Sequence, residues 1–297
     1  MKVYIKKHGN HAGKWIYKGY QSAWESLGYV TEYYDEISEI NTKEPYQLMS
    51  LDFDIKKENL STVINAERAY VFAQPNTFPK PWGRHPNFYS ACKDEEIKAL
   101  NKAENVHLWT FTETCANEHY FKWKDVNTVR LAFDSINYEH LEDDQYKFDV
   151  CFIGGWANNG YNEKRKIMLE HFSEFVNSDI NCGFFINKGI SHEIENKILY
   201  NSKISLNIHD AYQRALGLDT NERTFKSLGL NGFLISDSVD SCKKIFPDIP
   251  YYSNPGEMKE LVQHYIKQDL EEVKNKNRKA ILENHTYVNR VKELLKL

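Results

Sequence analysis

Cysteine is scarce, with five residues in 297, and none of them stands in a CxxC pair. Cys92, Cys115, Cys151, Cys182 and Cys242 are odd in number and widely spaced. That argues against a disulfide framework or a structural zinc site and fits reduced thiols. Long apolar runs are missing too. Nothing approaches the ~18 consecutive apolar residues of a membrane span, so none is expected. The opening MKVYIKKHGN enters a strand pattern without an apolar leader, and a cytoplasmic location is the expectation. Neither sign of charge dominates: the net charge is −4 and the pI about 6.3. That balance supplies no global attraction to nucleic acid or acidic membranes. Low-complexity tracts are absent, and 41% hydrophobic residues suffice for real cores.

What is present suits two domains, since single cores stop growing at roughly 250–300 residues. Short apolar runs alternate with longer amphipathic ones, the pattern of a parallel sheet covered by helices. Strands are expected at Val3–Ile5, Val30–Tyr34, Tyr46–Phe53, Tyr70–Ala73 and Val106–Phe111. Helices are expected at Trp15–Leu27, closed by Gly28, and at Lys57–Arg68 and Asp94–Glu104, with His8–Gly13 a polar loop. A second series starts near Asp149, with strands at Val150–Ile153, Cys182–Ile186, Ser205–Ile208 and Phe233–Ser236. Its helices are Glu163–Val176, His192–Tyr200, Glu222–Leu230, Glu257–Gln268 and Leu270–Leu297. The expected boundaries are 1–132, a polar linker 133–147, and 148–297. Tandem α/β units imply a cleft with ligands at the carboxyl ends of strands.

The most informative stretch holds Leu206-Asn207-Ile208-His209, then Asn221-Glu222-Arg223-Thr224-Phe225-Lys226, then Gly232-Phe233-Leu234-Ile235-Ser236-Asp237. A strand ends at His209, a polar loop with Gly217 and Asp219 follows, and a helix begins near Asn221. Free N–H groups and the positive dipole end of that helix suit a diphosphate. Arg223, in the first turn, adds a guanidinium able to fork two phosphate oxygens. The plain alternative makes Asn221 an N-cap and Arg223 a solvated charge.

These residues resemble the glycosyltransferase domain of the spore-maturation CgeB-like proteins. That family pairs a strand ending Leu-Asn-x-His with Asn-x-Arg-x-Phe-Glu and a small-Gly-x-Leu-Leu-x-Asp run. Asp149-Val150-Cys151-Phe152-Ile153-Gly154 and His285-Thr286-Tyr287-Val288-Asn289-Arg290 match its flanking motifs. Leu131–Asp134 resembles its linker, and Trp109 with Glu113 a strand end of its first domain. The match is specific from about residue 130 onward and weak before it. The resemblance implies the GT-B version of an α/β fold, two Rossmann-like domains facing across a cleft. The first would bind acceptor and the second donor, with the last helix packing back on the first. It also implies hexosyl or pentosyl transfer from a nucleoside-diphosphate sugar, a UDP-sugar foremost, to a hydroxyl, without metal or other cofactor. The donor residues carried over are Gly154, Gly155, His209, Asn221, Arg223, Lys226 and Asp237. Lys226 departs from the family, which has Glu there to hydrogen-bond the ribose, and lysine cannot accept those bonds. Either Glu222 or Asp237 takes over, or the donor is atypical, or Lys226 meets phosphate.

His8, Asn10 and His11 follow the first strand, where GT-B enzymes approach the transferred sugar. A histidine there can act as base, its ordinary pKa lying near 6.5. His11, Glu113 and His209 are the catalytic candidates, and His8, Asn10 and Trp82 the acceptor candidates. Trp82 lies in Gln74–Asn87, a four-proline segment that reads as a long loop. Each also reads plainly as a solvated loop residue or a cap. Asp52-Phe53-Asp54 spells the metal mark of the other glycosyltransferase fold, GT-A, but the longer C-terminal motifs outweigh it. The acceptor is open: a glycan, lipid, protein, small molecule or modified DNA base, the last requiring base flipping. The competing readings are a non-catalytic nucleotide-sugar binding module, favoured by Lys226, and a phosphorylase or epimerase.

Overall fold

The computed structural model describes residues 1–8, 11–73, 92–112, 122–155, 164–187 and 189–297, residue 11 by its backbone alone. Two units partition the chain: Met1–Arg130 together with Tyr287–Leu297, and Leu131–Thr286.

The first unit runs β1 (Lys2–Lys6), α1 (His11–Ser26), β2 (Val30–Tyr34), β3 (Tyr46–Leu51), α2 (Leu60–Ile64), β4 (Arg68–Phe72), α3 (Asp94–Leu100), β5 (Val106–Thr110) and β6 (Asn127–Thr128). The strands form one parallel sheet in the order β2-β1-β3-β4-β5-β6. Consecutive rather than alternate residues are buried in β1 (Val3, Tyr4, Ile5) and throughout β3. That is the mark of strands covered on both faces. Tyr4, Leu48, Val71 and Leu108 pack with Ile97 and Leu100 of α3 in one core.

Three local expectations need correction. Helix α1 begins at His11, inside the segment read as a loop. Gly13 permits this, because the His8 ring lies on that first turn, 2.2 Å from where a Cβ at residue 13 would sit. Strand β3 stops at Leu51, and Asp52–Asp54 is a 3-10 turn, so alternation does not align its carboxylates. Asp52 is buried, and Asp54 faces Lys6 at 3.4 Å. Helix α2 is shorter than Lys57–Arg68, since Lys57–Asn59 forms a 3-10 turn and Arg68 opens β4.

The second unit runs β7 (Val150–Gly154), α4 (Lys164–Ser173), β8 (Cys182–Ile186), α5 (His192–Asn201), β9 (Ile204–Asn207), α6 (Ala211–Leu216), α7 (Glu222–Leu230), β10 (Leu234–Asp237), α8 (Asp240–Ile245), β11 (Tyr251–Tyr252), α9 (Pro255–Tyr265) and α10 (Glu271–Asn284). Its parallel sheet is ordered β8-β7-β9-β10-β11. Both sheets thus begin with the same order, 2-1-3-4-5, which reverses winding beside the first strand. Ligands of such sheets bind outside the carboxyl strand ends at that switch point. In this unit the point lies between β7 and β9.

The polar stretch after His209 is not a simple loop. It carries α6, opened by a capping box of Asp210 and Gln213 and closed at Gly217. The C-terminal helix is broken as well. His285 leaves helical geometry (φ −133°), and its carbonyl accepts the Phe133 amide at 2.8 Å. Helix α11 (Tyr287–Leu294) then completes the first unit. Tyr287 packs on Tyr20 at 4.9 Å between ring centroids and lies over Gly19, and Arg290 donates to the Arg130 carbonyl at 3.0 Å.

Candidate functional site

At the carboxyl end of β9, Asn207 has no exposed surface and uses every polar atom of its amide. Its Nδ2 donates to Thr224 Oγ1 (3.0 Å) and Ser236 Oγ (3.2 Å). Its Oδ1 accepts from Asn221 Nδ2 (3.0 Å) and Arg223 Nη1 (3.2 Å). Asn221 is the N-cap of α7, accepting from the Thr224 amide at 3.2 Å. One buried amide therefore locks the first turn of α7 to β9 and β10. Rigid supports of this kind fix a site's geometry.

Arg223 is half-buried and held by main-chain oxygens. Nε donates to Ile153 O at 2.7 Å and Nη1 to Ile208 O at 3.3 Å, so the guanidinium spans β7 and the residue after β9. Its face rests on the Phe152 ring at 4.6 Å. Nη2 lies over Gly154, 2.2 Å from where a Cβ would stand, so only glycine leaves room for it. Among the described residues no carboxylate lies within ion-pair distance of Arg223, and Nη2 has no hydrogen-bond partner. Burial pulls its pKa down, with Asp210 and Glu222 opposing from farther off. Gly155 is equally confined, since a Cβ there would meet Asn187 Oδ1 at 2.2 Å.

His209 lies beneath this point with no exposed surface. Nδ1 meets Asp237 Oδ1 at 2.6 Å and Nε2 meets Thr220 Oγ1 at 2.7 Å, while its amide donates to both Asp237 oxygens. Burial opposes the imidazolium, but Asp237 outweighs it and raises the pKa to about 9. Asp237 shows the counterpart: burial pushes it up, and His209 pulls it below the usual carboxylate range. A catalytic base needs one nitrogen facing substrate, and both of these are engaged.

Lys226 is buried too, its ammonium 2.7 Å from Glu195 and 3.5 Å from Glu222, above the Tyr138 ring. Burial disfavours its charge, yet the two carboxylates raise its pKa well above normal. It faces acids, not the space beside Arg223. Glu222 occupies the first turn of α7 beside Arg223, its pKa raised by burial against the pull of Lys226.

Three residues join this cluster without having been singled out from the sequence. Lys164, buried at the start of α4, pairs with Asp210 at 2.7 Å. Burial lowers its pKa against that carboxylate. Arg214 of α6 reaches Asp237 at 3.4 Å. The signal that finds Asp210 and Arg214 is the capping box Asp210-x-x-Gln213, which marks a helix start inside the polar stretch.

In the first unit, the His8 ring stacks on Tyr17 at 5.5 Å. The His11 side chain, Asn10, Trp82 and Glu113 lie outside the described residues. No group of three or more His, Cys, Asp and Glu among the described residues could hold a metal ion. None of the described helices is long and apolar enough to cross a membrane.

A family model described as glycosyl transferase-like matches residues 139–296, more than half of the chain. No curated protein matches it. Among solved structures, T4 phage BGT in complex with its UDP-glucose substrate is similar, with a TM-score of 0.58 at 13% identity and full coverage of both chains. So is WaaG, a glycosyltransferase involved in lipopolysaccharide biosynthesis, with a TM-score of 0.51 at 10% identity over 99% of this chain and 98% of that one. At such identities the likeness concerns the fold, two Rossmann-like parallel sheets of the GT-B type. With the family match, it follows that the chain belongs to the glycosyl transferase-like family and is a glycosyltransferase.

Proposed function

We propose that this enzyme, on its motifs a relative of the CgeB-like proteins, transfers a sugar from a UDP-sugar to a hydroxyl acceptor without a metal ion. The second unit is the donor domain and the first the acceptor domain. One observation carries the reading: Arg223, half-buried between β7 and β9 with no carboxylate partner among the described residues, leaves Nη2 unpaired over Gly154. A guanidinium so held is preorganised for diphosphate oxygens. In this reading the amide groups opening α7 and the Gly154-Gly155 segment at the end of β7 contribute to the same anion site. As the leaving UDP gains charge, these donors stabilise it more than the ground state, which lowers the barrier.

Glu222 takes the ribose hydroxyls, the role left open by Lys226, and Lys226 holds Glu222 in place. His209, charged and buried, is a positioning residue that aligns β9 with Asp237. The base that activates the acceptor comes from the first unit, where His11 and Glu113 are the candidates. Isothermal titration with UDP-glucose, UDP and GDP, in EDTA and in Mg²⁺, tests the reading. Uridine nucleotides should bind equally with and without metal, and Arg223→Ala should weaken them. Absence of nucleotide binding, or binding only with Mg²⁺, would refute it.

A further inference from the structure

The first 24 residues hold five lysines and no acidic residue, in a chain whose net charge is −4. Structure concentrates this excess. At the end of β1 and along α1 lies a recess of about 430 Å³, lined in part by Lys7, Lys14 and Lys18. Its walls are aromatic: Trp15, Tyr17 and Tyr33, with His8 stacked on Tyr17. Lys14 sits over the Trp15 ring at 5.0 Å, and the Tyr33 hydroxyl donates to the Tyr17 carbonyl at 3.3 Å. Among the described residues Lys7 has one acidic neighbour, Asp35, at 3.3 Å, and Lys18 meets the neutral Gln21 at 3.0 Å.

We infer that this recess binds a nucleic-acid strand, whose base enters against the aromatic walls while its phosphates meet the lysines. The inference deepens the transferase reading, on which it rests, by giving the acceptor hydroxyl a carrier. Three features select this partner. A volume of about 430 Å³ falls in the range of small-ligand sites, roughly 300–1,000 Å³, and so admits one nucleotide unit. Aromatic faces beside cations are how single strands are gripped without sequence readout, through stacking and cation–π contact. Lysines and aromatic rings line the same recess, so one site offers charge to a phosphate backbone and a ring face to a base.

Fluorescence anisotropy with a labelled single-stranded DNA 12-mer tests this in the intact protein. Three lysine–phosphate contacts predict a log–log salt slope of roughly −2, so binding should weaken about 20-fold between about 50 and 200 mM salt. The double variant Lys14→Glu, Lys18→Glu changes exposed residues only, and should cut affinity at least tenfold and flatten the slope. Trp15→Ala should cost about tenfold through lost stacking, with the melting temperature checked alongside. Lack of binding at low salt, or binding that ignores both lysines and Trp15, would overturn the proposal. So would sedimentation with phosphatidylglycerol vesicles in the absence of strand binding, which identifies a membrane surface instead. Nucleotide-sugar binding is read separately by calorimetry. Strand binding without it removes the donor reading and keeps the recess.

Discussion

Replacing Gly154 with alanine tests the donor site by adding one methyl group and removing nothing. The new Cβ would stand 2.2 Å from Arg223 Nη2 and 2.9 Å from its Cζ, where ordinary contacts lie at about 3.5–4.0 Å. The guanidinium must retreat by more than an ångström. Its 2.7 Å bond to Ile153 O, one residue away on the same strand, cannot survive that movement intact. A charge-assisted hydrogen bond is worth roughly 1.5–3 kcal/mol, so UDP affinity should fall roughly 10- to 150-fold. Overpacking itself should cost about 1–3 kcal/mol of stability, which leaves a folded protein. Calorimetry on Gly154→Ala, Arg223→Ala and the double variant completes the cycle. If both act through one guanidinium, the double variant should bind hardly worse than Arg223→Ala alone. Affinity for UDP within twofold of the parent in Gly154→Ala would refute the assignment of Nη2 to phosphate.

Three further outcomes are expected. The His209 pKa, about 9 when folded against ~6.5 unfolded, lies above its unfolded value. Its stabilisation, about 3 kcal/mol, is therefore complete below about pH 6.5 and lost as pH rises through 9. Urea unfolding of the parent and His209→Gln between pH 6 and 10 should show that slope in the parent alone, and parallel curves would sink the idea. Lys226→Met leaves Glu195 and Glu222 without their shared cation and should cost about 3–5 kcal/mol, partly restored by adding Glu195→Gln. Equal stability of parent and Lys226→Met would contradict this. Gly19→Ala drives a Cβ to within 2.3 Å of the Tyr287 ring and should lower stability by about 1–3 kcal/mol, but by less in a Tyr287→Ala background. Thermal melts of the four proteins decide it.

Most strands of both sheets were legible because their apolar runs are short, β-branched and bounded by polar turns, as in Val3–Ile5 and Val150–Ile153, whereas the two-residue β6 and β11 offer no run to read. Asn221 and Arg223 were legible because a cap and a cation in a helix's first turn are local facts. Two of the missed residues, Lys164 and Arg214, belong to separate helices and meet the site only through the sheet order. Lys226 stood among the donor residues because its neutralising partner, Glu195, sits on another helix and is invisible from the local motif. His209 was hard to place for a different reason. A strand-end residue turned toward substrate and one turned inward share a single sequence pattern, and only the placement of Asp237 and Thr220 separates them. The end of β3 slipped because a 3-10 turn at Asp52–Asp54 preserves the composition of a strand while abandoning its alternation.

The return of Tyr287–Leu297 to the first unit bears on how the chain is made. A ribosome releases Met1–Arg130 long before the helix that completes it. At about 5–20 residues per second, residues 131–286 take roughly 8–30 s to emerge. During that interval Tyr20 and Gly19 lack the Tyr287 ring, and the Arg130 carbonyl lacks Arg290. The second unit is continuous and closes first. The first waits with the Tyr20 ring lacking its Tyr287 partner. Moving the last eleven residues to the front by circular permutation would let the units mature in the order of their synthesis.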